Sequence, residues 1–529
     1  MTQAEPTGGS TTPRAWQTRV EVVLCEEALG PEPNPDAGWL RDLVEAACGR
    51  RVSVEVVPGI CRHPRLLTSL ASRPQPSHLV IGVCRTSAAE PEYSLWAGRI
   101  GLDPFAVELV TLELGASASP DDPRSRQAAR LIAAAAAKTL ALRPDGRRRT
   151  AVAAGRVGRR ALLSALALTD RPVAAPLPDV CAGTRRCGLC VGVCRAGAIS
   201  TGDDLPSVDP VRCTGCGDCV TVCPVAAMSL PGASIAQYEA QLGVLLAGGG
   251  RDILLACNAA ALPEGIGRIG PESGRAWSLV RVPCISMVTP GWVLQIVASG
   301  GTVALLPCGG DCIGVWGDPE RGRAAYCRLA LEVCGEREAA RRVRILTGCA
   351  DETLEGLAAP EPEGASDPGH VVLSEPTSTA IALLRIAASR DANQLARITH
   401  PESPLGLLRV HRDLCTVCGA CATVCPTSAL KFDQDQDCAR LSYDAARCLP
   451  CGRCVSSCPE GALDVRSETA LDALAFGEVE VARSALSRCR RCGSPLVPLA
   501  TAARVRDLLG SPSRDGDLCP TCAISLRVG

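Results

Sequence analysis

Aromatic side chains are scarce: three Phe, four Tyr and six Trp make up 2 % of 529 residues. Cores must therefore be built from Val, Leu, Ile and Ala, and the aromatic platforms on which single-stranded nucleic acids stack are excluded. Lysine is nearly absent. Lys138 and Lys431 stand alone among arginines, a bias of composition rather than a site. The formal net charge is −1, so bulk electrostatics favour neither a nucleic acid nor a membrane surface as partner. Five histidines leave little scope for histidine-rich metal chemistry. No run of 18 apolar residues occurs; the nearest, LIAAAAAKTLAL, is short, alanine-rich and carries Lys138, which predicts a soluble helix. The opening MTQAEPTGGSTTPRAW has neither an apolar signal segment nor twin arginines, which predicts a cytoplasmic protein.

Cysteine is abundant instead, with 32 residues spread along the chain. Disulfide scaffolds are small and secreted, so this distribution predicts thiolates that ligate metal in a reducing compartment. The expected fold class is multidomain α/β plus α+β. Residues 1–16 read as disordered, 17–145 as an N-terminal α/β domain and 146–178 as a linker. A ferredoxin-like module follows at 179–235, and an open parallel-sheet α/β domain at 236–355. Residues 356–405 read as linker and helix, 406–466 as a second ferredoxin-like module. Residues 467–529 read as a helix and a zinc-ribbon-like tail. Each module is expected to hold two 4Fe–4S clusters, and in chain order the modules flank the parallel-sheet domain.

The second module carries CTVCGACATVCP and CLPCGRCVSSCP, two runs of C-x2-C-x2-C-x3-C-P. Such a run wraps three thiolates round one cluster and sends the fourth to its neighbour. The expected ligand sets are Cys415, Cys418, Cys421 and Cys458 for one 4Fe–4S cluster, and Cys448, Cys451, Cys454 and Cys425 for the other. The first module is half regular. CTGCGDCVTVCP supplies Cys213, Cys216, Cys219 and Cys223, but its partner places five residues between Cys181 and Cys187 and has Arg195 where proline is usual. Cys187, Cys190 and Cys194 keep their steps. The expected sets are Cys181, Cys187, Cys190 and Cys223, and Cys213, Cys216, Cys219 and Cys194. A single cluster is the alternative. The inserted Thr184, Arg185 and Arg186 either place positive charge beside the first set or form a plain bulge.

Between the modules, four short apolar runs close on Cys257, Cys284, Cys308 and Cys349. Intervening helical patterns predict an open parallel sheet, in which ligands lie beyond the carboxyl ends of strands. Cys312 follows Cys308 across Gly309 and Gly310, which let backbone approach a bulky core. The segment ACNAAAL to VRVPCISMVTPGWVLQIVASGGTVALLPCGGDC resembles the iron–sulfur (delta) subunit of methyl-viologen-reducing hydrogenases, over about residues 250–355. That resemblance implies a 2Fe–2S cluster held by Cys257, Cys284, Cys308 and Cys312, with Cys349 as a substitute ligand. The second cysteine usual in the family's first segment is replaced by Ala260. Cys327 and Cys334 lie in a helical pattern and are expected to be buried. GIGRIGP has G-x-G-x-x-G spacing but lacks the strand before and the helix after it that a nucleotide fingerprint needs.

At the N-terminus, strand patterns end in Cys25, Cys61 and Cys84. The run from PGICRHPRL through LVIGVCRTSAAEPEY to GLDPFAVELVTLE resembles the N-terminal domain of the A-type, flavin-bearing component of heterodisulfide reductase, over roughly residues 18–140. The resemblance implies one further 4Fe–4S cluster on these thiols. Cys48 is a candidate fourth ligand inside a predicted helix, and buried strand-end thiols are the alternative. The flavin domain of that component has no counterpart, so neither flavin nor NAD is expected within the chain. In the tail, Cys489, Cys492, Cys519 and Cys522 form two C-x2-C knuckles, which predict one zinc ion with four thiolates. A nucleic-acid-binding ribbon has only Arg488, Arg490 and Arg491 in its favour.

The expected function is an iron–sulfur electron-transfer subunit with no catalytic residue of its own, in a hetero-oligomer. By resemblance the partners are a hydrogenase or formate dehydrogenase on one side and a heterodisulfide-reductase-like or flavin-bearing subunit on the other. Two alternatives remain at this point: a catalytic disulfide or quinone reductase subunit, and an iron–sulfur redox sensor.

Overall fold

The computed structural model describes residues 20–29, 38–49, 52–67, 78–84, 93, 102–112, 121–142, 172–184, 186–247, 252–262, 277–308, 322–346, 371–390, 393, 395–509 and 518–528. Residues 1–16, residues 146–171 of the expected linker, Arg185, the GIGRIGP segment, Cys312 and Cys349 lie outside them. The chain divides into two compact units, Met1–Arg143 and Pro144–Gly529. No helix among the described residues is long and apolar enough to cross a membrane.

The first unit is built on four parallel strands: β1 (Val20–Cys25), β2 (Val52–Val57), β3 (His78–Val83) and β4 (Val107–Thr111), in the order β2-β1-β3-β4. β1 and β3 are buried along their whole length, which is why they read as continuous Val/Leu/Ile runs. Helices α1 (Gly38–Cys48) and α2 (Pro123–Leu140) pack on each other and on the sheet. The alanine-rich run forms α2. Asp122 caps it by accepting from the Arg124 N–H, and Lys138, nearly buried, reaches Glu108 at 2.6 Å. The chain leaves β1 for β2 on one side and returns to β3 on the other. The crevice outside that reversal is where such sheets take ligands.

The second unit contains another four-stranded parallel sheet of the same order. β5 (Ile253–Cys257), β6 (Ser278–Val282), β7 (Val303–Leu306) and β8 (Val343–Ile345) lie as β6-β5-β7-β8. Helix α3 (Pro290–Ala298) is almost wholly buried, and Trp292 donates its indole N–H to the Leu373 carbonyl at 3.2 Å. Each fully buried side chain of this kind contributes about 1.5–3 kcal/mol. Cys327 and Cys334 are buried at helix Arg323–Val333 and its end, as their pattern implies.

The second cysteine-dense module is antiparallel. Strands Gly406–Val410 and Leu463–Ala470 pair across its base, and Leu430–Gln434 pairs with Cys438–Asp444. The tail differs from the sequence reading. A short helix, Leu471–Phe476, is followed by the strand Glu478–Arg488, which pairs with Cys438–Asp444 and then with Pro495–Pro498. The apolar residues of EVEVARSALSR are small and interrupted, so the strand signal is weak. The tail thus extends the module's sheet instead of standing apart from it.

Candidate metal centres

Each of the four cysteine runs makes the same turn. The cysteine before the third is followed by a glycine with positive φ: Gly188 (65°), Gly217 (86°), Gly419 (77°) and Gly452 (69°). Only glycine takes this conformation without steric cost. It reverses the chain into one helical turn that carries Cys190, Cys219, Cys421 or Cys454. The repeated Cys-Gly-x-Cys was visible in the sequence, and it covers the irregular run as well.

The turns bring three thiols of one run together with one of the other. Cys415, Cys418, Cys421 and Cys458 line one cavity. Cys181, Cys187, Cys190 and Cys223 line another. Burial pushes Cys454 up to about 11, with the charges of Cys451 and Cys425 adding to the shift. Burial pushes Cys448 up to about 12, and the same two neighbours with Cys454 act on it. Cys219 is raised by burial and by Cys216, Cys213, Cys190 and Cys194. Such groupings of buried, mutually repelling thiols are stable as thiolates only when a cation neutralises them.

The irregular run recovers its fourth thiol by folding its insertion inward. Gly183 has φ 83° and passes so close to the Asp204 carbonyl that a Cβ would lie 2.5 Å away. Thr184 is buried and donates to the Gly202 carbonyl at 3.2 Å. Arg186 is exposed, and its carbonyl accepts from the Arg453 guanidinium at 3.1 Å. Among the described residues, the positive charge acting on Cys187 is that of Arg453 from the other module, a residue the sequence reading missed. Arg195, standing for proline, pairs at 3.0 Å with the nearly buried Asp218. Backbone N–H groups point at the last sulfur of three runs: Ala198 to Cys194 (3.2 Å), Ala227 to Cys223 (3.1 Å) and Ala462 to Cys458 (3.4 Å). Such bonds favour the charged sulfur and tune a cluster.

The two parallel sheets place cysteines at matching strand ends. In the second unit Cys257 ends β5, Cys284 follows β6 and Cys308 follows β7. A hydrogen bond from Cys284 pulls Cys257 down, against burial and the nearby Cys308. Ala260, where the resembled family has cysteine, is buried in the core beside Cys257 and Leu306. In the first unit Cys25, Cys61 and Cys84 lie within 4.8 Å of one another. Cys48 closes α1 and is outside that group. Cys25 is raised by burial and by its 2.6 Å hydrogen bond to the Glu27 carboxylate.

The tail cysteines Cys489, Cys492, Cys519 and Cys522 also lie within 4.8 Å of one another. One tetrahedral ion with metal–sulfur bonds of about 2.3 Å sets its sulfur atoms about 3.8 Å apart. Cys492 Sγ and Cys519 Sγ are 3.7 Å apart, so this group has the dimensions of a single ion. The Cys519 and Cys492 backbone N–H groups pull Cys489 down to about 6, favouring its thiolate. Arg488 is committed to Asp437 at 2.7 Å, which weakens the nucleic-acid alternative further.

Comparison with known proteins agrees with this geometry where it reaches. Residues 184–227 and 414–462 match the 4Fe-4S dicluster domain family. The chain is 52 % identical over 44 residues to the B component of the Na(+)-translocating ferredoxin:NAD(+) oxidoreductase complex of Acetobacterium woodii, covering 8 % of this chain and 13 % of that one. It is 40 % identical over 52 residues to a protein named Ferredoxin 7Fe from Hydrogenibacillus schlegelii, covering 10 % of this chain and 65 % of that one. The chain therefore spans less than two thirds of either relative. The matched motifs and the converging thiols identify a multidomain, ferredoxin-like iron–sulfur protein of mixed α/β and α+β architecture.

Proposed function

We propose that the chain is an electron-transfer subunit of an oxidoreductase complex, relaying single electrons between a hydrogenase or formate dehydrogenase and a heterodisulfide-reductase-like or flavin-bearing partner. The observation that carries this reading is the pairing of runs: Cys458 joins Cys415, Cys418 and Cys421 in one cavity, and Cys223 joins Cys181, Cys187 and Cys190 in another. Both relatives point the same way, one named as a ferredoxin and one as part of a ferredoxin-linked oxidoreductase.

On this reading the four sets in the two modules hold 4Fe–4S clusters. Cys257, Cys284, Cys308 and Cys312 hold a 2Fe–2S cluster, and the tail thiols hold zinc. Cys25, Cys61 and Cys84 hold a further metal centre. Iron–sulfur clusters supply one-electron carriers whose potentials follow their hydrogen bonds and exposure. The chain's own residues supply the thiolates, the N–H groups aimed at sulfur and the apolar walls that keep water out. Zinc staples Cys519 and Cys522 to the hairpin that bears Cys489 and Cys492.

Metal content after anaerobic purification tests the reading. The expected values are about 18 iron and about one zinc per chain, rising to about 22 iron if the N-terminal thiols hold a cubane. A value of about eight iron would remove the four-cubane assignment.

A further inference from the structure

On that relay reading, on which this inference rests, we propose that the cysteine sites of the second unit form a single row whose order departs from chain order. The Cys257/Cys284/Cys308 site stands at one end, beside the Cys194/Cys213/Cys216/Cys219 set. The Cys181/Cys187/Cys190/Cys223 set comes next, then the Cys425/Cys448/Cys451/Cys454 set. The Cys415/Cys418/Cys421/Cys458 set closes the row. The parallel-sheet domain lies between the two modules in sequence, yet its thiols are a terminus and not a bridge.

Two junctions carry the order. At the first, the Ser286 hydroxyl lies 3.1 Å from Cys284 Sγ and donates to Asp218 Oδ1 at 2.6 Å. Asp218 sits between Cys216 and Cys219, so one hydroxyl spans the two sites. The fit is close: a Cβ on Gly217 would lie 2.8 Å from Met287 Sδ. Arg195 completes the junction by pairing with the other oxygen of Asp218 at 3.0 Å.

At the second junction, Pro426, which follows Cys425, lines the cavity of Cys181, Cys187, Cys190 and Cys223. Arg453, which precedes Cys454, donates to the Arg186 carbonyl at 3.1 Å, and a Cβ on Gly188 would lie 3.3 Å from its Nη2. Within each module the helical turns bearing Cys190 and Cys219, and those bearing Cys421 and Cys454, pack together. That completes the row.

The parallel-sheet domain also touches residues that flank the second module. The Tyr326 hydroxyl lies 3.2 Å from Thr469 Oγ1, and Arg323 pairs with Glu402 at 3.3 Å. None of these contacts includes Cys257, Cys284 or Cys308. Exposure follows the row. Among the described cysteines only Cys308, Cys418 and Cys492 are exposed, and the first two belong to its two ends. Each end therefore offers one exposed sulfur, while the described cysteines of the inner sets are partly or fully buried.

Spin relaxation in the reduced, frozen full-length chain reads this order. Cys213→Ala removes the proposed neighbour of the Cys257/Cys284/Cys308 site and should slow relaxation of that site's signal severalfold. Cys418→Ala, at the far end, should leave it unchanged. An equal response to both, or a response to Cys418→Ala alone, overturns the order. A second measurement keeps every cysteine in place. Arg453→Met removes a positive charge supplied by module two, and should lower the reduction midpoint of the cluster on Cys181, Cys187, Cys190 and Cys223. An unmoved midpoint overturns the second junction. Failure of the relay reading looks different: the unsubstituted chain would lack the iron or the signals before any variant is compared.

Discussion

The sheets β2-β1-β3-β4 and β6-β5-β7-β8 run in the same order, and each ends its first strand on a cysteine, Cys25 in one and Cys257 in the other. The second cysteine follows the second strand, Cys61 or Cys284, and the third follows the third strand, Cys84 or Cys308. The electrostatics diverge at once. Glu27, two residues past Cys25, takes a 2.6 Å hydrogen bond from that thiol and, with burial, pushes it up. Ala259 holds the corresponding place after Cys257, which instead is pulled down by Cys284. Strand order decides where the thiols meet; Glu27 after the first strand in one sheet and Cys284 after the second strand in the other shift the first thiol in opposite directions. The third loops differ as well. Cys308 is followed by a second cysteine, Cys312, whereas Cys84 is followed by none before the next strand.

That last difference gives the largest expected effect. Cys84→Ala leaves two thiols at its site and should strip the whole N-terminal metal complement from the chain. Cys308→Ser leaves Cys257, Cys284 and Cys312 with a serine oxygen, and should keep its iron while the EPR signal of that site shifts. Iron and sulfide counts on the two variants, with EPR spectra, check the pair. Full N-terminal metal in Cys84→Ala would break the parallel between the sheets, because a ligand outside the three strand ends would then be required.

Much of this was legible in the chain. Periodicity and strand-end cysteines pointed to the parallel sheet of the middle domain and to an α/β domain at the N-terminus, because buried parallel strands read as unbroken Val/Leu/Ile runs. The ferredoxin spacing groups Cys415, Cys418 and Cys421 with Cys458, and the same four residues line one cavity, since three close steps hold a loop to one side of a cluster. The cavity lined by Cys181 was harder to foresee, because Gly183 and Thr184 fold the insertion through contacts with Asp204 and Gly202 about twenty residues on. Ser286, Asp218 and Arg453 gave no local signal at all. Each matters through a partner remote in sequence, and nothing in a serine or an arginine announces which backbone will arrive beside it. The strand Glu478–Arg488 was missed for a different reason: its inward side chains are small, and pairing with Cys438–Asp444 supplies the stability that its own pattern lacks.

The smaller predictions return to the third strands, two residues before the cysteine. There β7 has Leu306 and β3 has Gly82. Leu306 is buried against Leu254, Ala256, Cys257, Trp277 and Leu346. Leu306→Ala should cost about 2–5 kcal/mol through lost burial and a residual cavity. Hydrogen exchange at the β7 amides should accelerate accordingly. Gly82 fails in the opposite sense. A Cβ there would lie 2.6 Å from Leu112 Cδ1 and 2.7 Å from Leu24 Cδ2, the ends of two flexible side chains. Gly82→Ala should therefore cost less, about 1–3 kcal/mol, as those leucines leave their preferred rotamers. Exchange at the β3 amides should rise by a smaller factor than at β7. Equal or reversed protection losses would mean that the two sheets share a strand order without sharing how tightly the crevice above it is walled.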